Sequence, residues 1–469
     1  MAPTPFYVAG RPESSDDVLP VTHPGDGGTV GATTYATEEQ VEEAVAKAAT
    51  ARTETAHQRA AALDHVSRRL SENAQEIARL ITGENGKPLK WARLEVGRAV
   101  STFRWAAEEA RRFTGEMQRL DTDPSAQGRL ALVTRRPKGP VLGISPFNFP
   151  LNLVAHKVAP AIAVGAPIVL KPAPKTPLSA LKLGEFLAET DLPEGMWSVL
   201  PIPNERAGEL VKDPRLPVVS FTGSGPVGWQ IRDAVPRKHV TLELGGNAAA
   251  VVCHDWDDLD WAATRIATFS NYQAGQSCIA VQRVIVHQRH YEELTEKIVA
   301  NVEKLRNGDP YDETTDVGPM IDEAAARRVE QWVHEAKATV LTGGERQGAF
   351  FAPTVLEGVP HDAKVAAEEV FGPVLVMIAA KSDDEAFGLV NRSEFGLQAG
   401  IFTRDIKTAF AAGRKLDVGG VIVGDVPSFR ADQMPYGGVK GSGIGREGLR
   451  SAMDDYTEER VLVLTGLDL

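Results

Sequence analysis

Apolar residues recur along this chain in two rhythms, and from Gly139 onward those rhythms alternate. Short apolar runs predict strands at 140–144, 167–171, 197–200, 217–222 and 239–243, with helical spacing between them near 151–164, 177–188, 205–212 and 226–234. A second cycle runs from Ala248, with strands near 248–253, 281–287, 337–341, 373–379, 398–403 and 419–424. Strands that alternate with helices build parallel sheets covered on both faces. The predicted class is therefore α/β, with two Rossmann-like parallel-sheet units joined around Gly245-Gly246. Ligands of such sheets sit beyond the carboxyl ends of the strands, where Asn148, Lys171, the run Thr222 to Gly228, and Glu243 fall.

Ahead of this core, residues 1–36 are rich in Gly, Pro and Thr and predict short extended pieces. Thr37 and Gln40 form a capping-box pattern that opens a helix. A second helix is predicted over 56–82, stopped by Gly83 to Pro88, and a third over 89–113. Two alternating segments around 115–136, split by Asp121 to Ser125, predict a hairpin that either leaves the body of the protein or lies solvated on it. The tail carries Val461-Leu462-Val463-Leu464, a strand without a neighbouring hairpin partner. It requires a distant edge or another subunit.

The chain has 469 residues, 43% hydrophobic and 24% charged, which predicts a globular protein of about two or three domains. A net charge of -12 argues against a nucleic-acid partner or an anionic membrane surface. The apolar run from Leu151 to Leu170 is interrupted by Asn152, His156, Lys157, Pro160 and Pro167, so it predicts a helix and a buried strand instead of a membrane span. No basic-then-apolar leader opens the sequence, and two cysteines in a chain this long suit a reduced, cytoplasmic protein.

Cys278 lies in the polar loop Gln273 to Ala280, where a thiol can be exposed and deprotonated for attack on carbon. Cys253, inside Ala248 to Cys253, is expected to be a small buried hydrophobe. Gly223-Ser224-Gly225-Pro226-Val227-Gly228 follows a strand and opens a helix, the context in which glycines admit a dinucleotide pyrophosphate to a helix N-terminus. Glu243 lies fifteen residues beyond Gly228, near the spacing of a ribose ligand. At the end of an apolar strand it is equally suited to general-base work through a raised pKa. Lys171 ends a strand facing the crevice, and Asn148 is either a turn former or an oriented donor. Glu369 to Pro373 forms a further short motif, and the glycine-rich run from Pro435 to Glu447 predicts a flexible connector or a close backbone crossing.

In this order, these segments resemble the aldehyde dehydrogenase superfamily over nearly the whole chain. The resemblance implies a cofactor domain (1–114 and 137–244), a catalytic domain (245–430), oligomerisation strands (115–136 and 455–469) and a return segment (431–454). Cys278 would add to the aldehyde carbonyl, with Asn148 and the Cys278 N–H as the oxyanion hole, and Glu243 would activate the water that hydrolyses the thioester. NAD or NADP would be held by Ser145, Phe147, Lys171, Gly223, Ser224 and Gly228, with Glu369 and Phe371 at the nicotinamide end. Where NAD-preferring members often carry glutamate this chain has Pro174, beside Lys175, which admits NADP. A second glycine site near the adenine aligns with Pro203. No metal is implied.

The same alignment sets Asn152, His156, Ser277, Ser428 and Arg430 near the aldehyde channel. Their polarity points to a small hydroxylated or anionic aldehyde, such as a lactaldehyde-like, semialdehyde or phospho-aldehyde substrate. Arg430 either meets that anion or turns away into a surface salt bridge. A homodimer or homotetramer is implied. A CoA-acylating enzyme is the near alternative, opposed by Glu243, which members resembling methylmalonate semialdehyde dehydrogenase lack. A non-catalytic structural relative is the distant one, opposed by the presence of Cys278, Glu243 and Asn148 together.

Overall fold

In the computed structural model, which describes residues 2–468, two large sheets and one small one organise the chain. The first has eight strands in the order 11–13, 6–8, 197–199, 168–171, 141–144, 218–222, 239–243 and 443–444. Its five central strands are parallel, and those at 141–144 and 168–171 are buried along their whole length, as strands covered on both faces must be. Each predicted strand of this unit lies within about two residues of its expected bounds, because its apolar run is bounded by turn residues. The sheet edges were not anticipated. Phe6–Val8 pairs antiparallel with the strand Trp197–Val199, and Gly443–Ile444 pairs antiparallel with Leu242 and Glu243.

The second sheet has seven strands in the order 339–342, 354–357, 374–380, 283–287, 249–252, 398–402 and 420–423. Here the sequence pattern needs a correction. The segment 337–341 is not part of the parallel set; Thr339–Thr342 is an edge strand antiparallel to Thr354–Glu357, a strand of four residues between Pro353 and Gly358. So short a run has no period of its own. The helix predicted over 56–82 is likewise two helices, Ala56–Glu72 and Ala74–Asn85, broken at Asn73, whose side-chain amide donates to the Arg69 carbonyl at 2.8 Å. The Thr37 capping box forms as expected.

The third sheet joins Glu116–Arg119, Arg129–Pro137 and the tail strand Thr457–Thr465, with 129–137 in the middle. The tail's partner is a distant edge of the same chain, in register from Thr457 with Pro137 to Thr465 with Arg129. Among the described residues no helix is long and apolar enough to cross a membrane. Both cysteines are unpaired, and Cys253 is buried in the core of the second sheet. Its sulfur and the carboxylates of Asp255 and Asp383 lie within 4.8 Å of one another. Asp255 is already committed to Thr403 and the backbone of Arg404 and Asp405, and Asp383 to His254.

The two large sheets meet at Gly245 and Gly246. A Cβ on Gly246 would stand 2.2 Å from the Cys278 carbonyl oxygen, and one on Gly245 2.4 Å from the Glu369 carboxylate. Only glycine lets the linking segment pass this close to both.

Candidate active site

A cleft of about 1110 Å³ runs between the two sheets at the carboxyl ends of their strands, from Lys171 and Ser224 at one end to Cys278 and Arg430 at the other. The loop that carries Cys278 enters it through a tight left-handed turn, with φ of 53° at Gln273, 54° at Ala274 and 68° at Gly275. Left-handed backbone costs a non-glycine residue about 1–2 kcal/mol, so the surrounding contacts must enforce the turn. They do so through Gln276, which accepts the Ile321 N–H at 2.8 Å and donates to the Gln273 carbonyl at 3.1 Å. Ser277 lines the cleft, yet its hydroxyl already accepts from Tyr272 at 2.6 Å. Cys278 is half-buried, its Sγ 3.1 Å from the Tyr436 hydroxyl, and burial pushes the thiol up to about 12.

Asn148 stands on the opposite wall. Its amide donates to the Gln276 carbonyl at 3.1 Å, which turns it toward the Cys278 loop, while its Oδ1 has no partner. The turn that carries it is held from behind. Lys87 donates to the Asn148 carbonyl at 2.9 Å and pairs with the buried Glu95, which accepts the Leu151 and Asn152 N–H groups at 2.9 and 3.1 Å. Asn85 fixes the Phe147 carbonyl at 2.8 Å.

Glu243 ends its strand with the carboxyl buried and neither oxygen hydrogen-bonded. Burial and the neighbouring Glu447 raise its pKa well above the usual carboxylate range. Glu447 moves the opposite way, down to about 2, because Lys157 at 3.2 Å and Arg430 at 3.0 Å neutralise it. Two close carboxylates with environments that push their pKa values apart can serve as one fixed charge and one mobile-proton group.

At the other end, Lys171 is buried, its ammonium lowered to about 8 by desolvation, and it donates to Asn204 at 2.8 Å. Ser224 precedes the helix Gly225–Ala234 and makes no side-chain cap bond, and a Cβ on Gly225 would meet nothing within 4 Å. Gly223 and Ser145 tie the strand ends together, donating to the Glu243 and Lys171 carbonyls at 3.1 Å each. Gly228 serves packing: a Cβ there would come 2.3 Å from Leu244. Pro174 lines the cleft, and Lys175 beside it is paired with Asp322 at 3.4 Å. Pro203 does not line the cleft; Gly208 does, so the glycine near this end comes from the following helix, Ala207–Lys212. Nearer Cys278, Glu369 accepts the Gly246 N–H at 2.9 Å and is raised to about 7 by burial. Phe371, at φ 48°, meets Phe147 edge-on with ring centroids 5.9 Å apart. A buried cation, an uncommitted serine at a helix start and room for close backbone approach fit a dinucleotide.

The aldehyde dehydrogenase family model matches residues 11–462. The chain belongs to the aldehyde dehydrogenase family. It is 42% identical to a 3-sulfolactaldehyde dehydrogenase of Priestia aryabhattai, over 98% of this chain and 97% of that protein. Among solved structures, aldehyde dehydrogenase 21 of Physcomitrella patens, in complex with the reaction product succinate, superposes with a TM-score of 0.97 at 45% identity, covering 100% of both chains. The glyceraldehyde-3-phosphate dehydrogenase GapN of Methanocaldococcus jannaschii, complexed with NADP, gives 0.91 at 34% identity over 96% of this chain and 99% of that one. The present chain is accordingly an NAD(P)-dependent aldehyde dehydrogenase.

The Arg430 end of the cleft in this aldehyde dehydrogenase is built differently from the residue-by-residue expectation. Arg430 is not in a surface salt bridge: its side chain is 5% exposed, bonded to Glu447 and set 3.8 Å over the Tyr436 ring. His156 does not line the cleft; it is buried against Asp432, which it meets at 3.0 Å. Asn152 lines the wall and reaches the same carboxylate at 3.5 Å, and Ser428 bonds the Ile279 carbonyl at 2.6 Å. Asp432 organises this corner and receives Arg98 at 2.8 Å. Arg98, Tyr436 and Glu447 escaped the sequence reading. Arg98 is one charge among many on the helix Leu89–Arg112, and the other two lie in the glycine-rich run from Pro435. A single aromatic between apolar and glycine positions in that run is the only trace they leave.

Proposed function

We propose that this enzyme oxidises a small, polar, anionic aldehyde to its carboxylic acid through covalent catalysis at Cys278. The observation that carries the reading is the pairing of Cys278, Asn148 and an uncommitted Glu243 in one cleft that four arginines, Arg98, Arg265, Arg328 and Arg430, also line. Cys278 Sγ adds to the carbonyl carbon, and the developing oxyanion takes the second Asn148 amide N–H and the Cys278 backbone N–H. NAD(P)+, when bound, supplies the hydride acceptor. Lys171, Ser224 and Gly223 are the residues that would hold its ribose and phosphates, and Glu369 and Phe371 its nicotinamide end. Oxidation of the thiohemiacetal leaves an acyl thioester on Cys278. Glu243 then takes a proton from water, which attacks the thioester and releases the acid. A carboxyl raised well above its usual range is a stronger base than an ordinary carboxylate, which suits that step, and its presence favours water over CoA as the acyl acceptor.

Relatives named for sulfolactaldehyde and a structural relative complexed with succinate support an anion on the substrate. Arg430→Ala is expected to lower kcat/KM for succinic semialdehyde about 10–100-fold more than for butanal, the size of a charge-assisted hydrogen bond. Equal losses on the two aldehydes would sink the anion assignment.

We also infer self-assembly through the tail strand. Val461, Leu462, Val463 and Leu464 are 38–58% exposed on an unpaired edge nine residues long. In the seven-stranded unit, Val423 of the edge strand Gly420–Val423 and Ile406 and Phe410 of the helix Ile406–Lys415 are 48–66% exposed, and exposed apolar edges need a partner. A second copy supplies both. Leu462→Asp is expected to shift the sedimenting species toward the 50.5 kDa monomer, and an unchanged oligomer would remove the tail from the interface. The unpaired thiols suit the reducing cytoplasm.

A further inference from the structure

The glycine-rich run places one side chain directly on the nucleophile. Tyr436 is held from both sides by its own backbone, donating to the Glu447 carbonyl at 2.9 Å and accepting the Glu447 N–H at 2.6 Å. Its ring packs in a small cluster with Ile279 and Leu397, and its hydroxyl stands 3.1 Å from Cys278 Sγ. The other face of the chemistry is Arg430, whose guanidinium lies 3.8 Å from the ring centroid.

The groups around the sulfur oppose its ionisation. Burial disfavours the thiolate most, and Glu369 and Glu243 add negative charge; the Tyr436 hydroxyl and Arg430 are the two influences that favour it. Burial also holds the phenol protonated well above its usual range, so at working pH Tyr436 can donate a proton bond and cannot act as a base. A guanidinium stacked on an aromatic face withdraws electron density from the ring, which makes the phenolic O–H a better donor.

We propose that Tyr436 is a further catalytic residue: its hydroxyl donates a hydrogen bond to the Cys278 thiolate, and the Arg430 cation on its ring strengthens that donor. The charge of Arg430 thereby reaches the sulfur without contact. This rests on Cys278 as the nucleophile of the proposed function, and the test reads the sulfur itself, whether or not the enzyme turns over.

The rate of iodoacetamide alkylation at Cys278 is followed against pH in the full-length protein, with the modified site assigned by mass spectrometry. Tyr436→Phe is expected to move the apparent thiol pKa up by about one unit and to slow alkylation near neutrality about tenfold, the loss of one charge-assisted donor. Its thermal melting is expected to stay close to the wild type, since phenol and phenyl fill the same space. An unmoved or downward-shifted profile would overturn the proposal. Arg430→Met keeps the phenol and removes the cation, and it carries the same test independently: a smaller upward shift is expected, and no shift there overturns the role of the stacked guanidinium. Failure of Cys278→Ser to abolish turnover would overturn the proposed function while leaving these alkylation profiles intact.

Discussion

Cys278→Ser is expected to lower NAD(P)H production by roughly 10⁴–10⁶-fold, the scale seen when the nucleophile of a covalent mechanism is removed. Serine preserves the volume and the loop, so the measurement isolates sulfur chemistry from folding. An alkoxide is far harder to form than a thiolate in a site where burial already pushes a thiol up to about 12. Cofactor binding is expected to survive, because Lys171 and Ser224 stand at the other end of the cleft. The assay is NAD(P)H formation with excess aldehyde at matched protein concentration. Activity within tenfold of the wild type would mean that the reaction does not run through this cysteine.

Glu243→Gln separates acylation from deacylation. A burst of NAD(P)H stoichiometric with enzyme is expected to remain, followed by turnover about 10²–10⁴-fold slower, the usual contribution of a general base. The pH dependence carries a sign. Glu243 accepts a proton only when ionised and its pKa is raised, so wild-type turnover falls as pH drops through that raised pKa. The glutamine variant loses this limb. Stability moves the other way: a carboxyl whose folded pKa lies above its unfolded value favours the folded state below the unfolded pKa and loses that contribution as pH rises through the folded one. Glu243→Gln is therefore expected to melt higher than the wild type at pH values above that range. A variant that lost the burst as well would place Glu243 in acylation, with a different role.

Much of this site is readable one residue at a time. Cys278 stands in a polar loop between a helical and a strand-like segment, Glu243 and Lys171 end apolar strands, and Ser224 follows the first glycine of a strand–turn–helix. Each of these signals is local, since it depends on residues within one turn or strand of the side chain. The order of the segments then supports the family resemblance, and that resemblance implies a base in place of a ribose ligand at Glu243. What could not be read were the commitments of the polar side chains. Ser277 looks like a free pocket hydroxyl until Tyr272 is seen to occupy it at 2.6 Å, and His156 looks like a channel residue until it is found off the cleft, paired with the buried Asp432.

The sequence by itself determined the alternation of strand and helix, the bounds of the central strands and the identity of the candidate reacting groups. Periodicity and turn chemistry act over a few residues, so they are written where they operate. The tertiary structure decided which of those groups meet. Arg98 reaches Asp432 across 334 residues, Tyr436 reaches Cys278 across 158, and the tail strand finds Arg129–Pro137 more than 300 residues earlier. Such contacts follow from how the sheets pack, and packing sets the distance between side chains without leaving a periodic mark on either. The loop around Cys278 shows both levels at once: its cysteine was legible, while the donor, the cation behind it and the strained turn that aims it exist only in the folded chain.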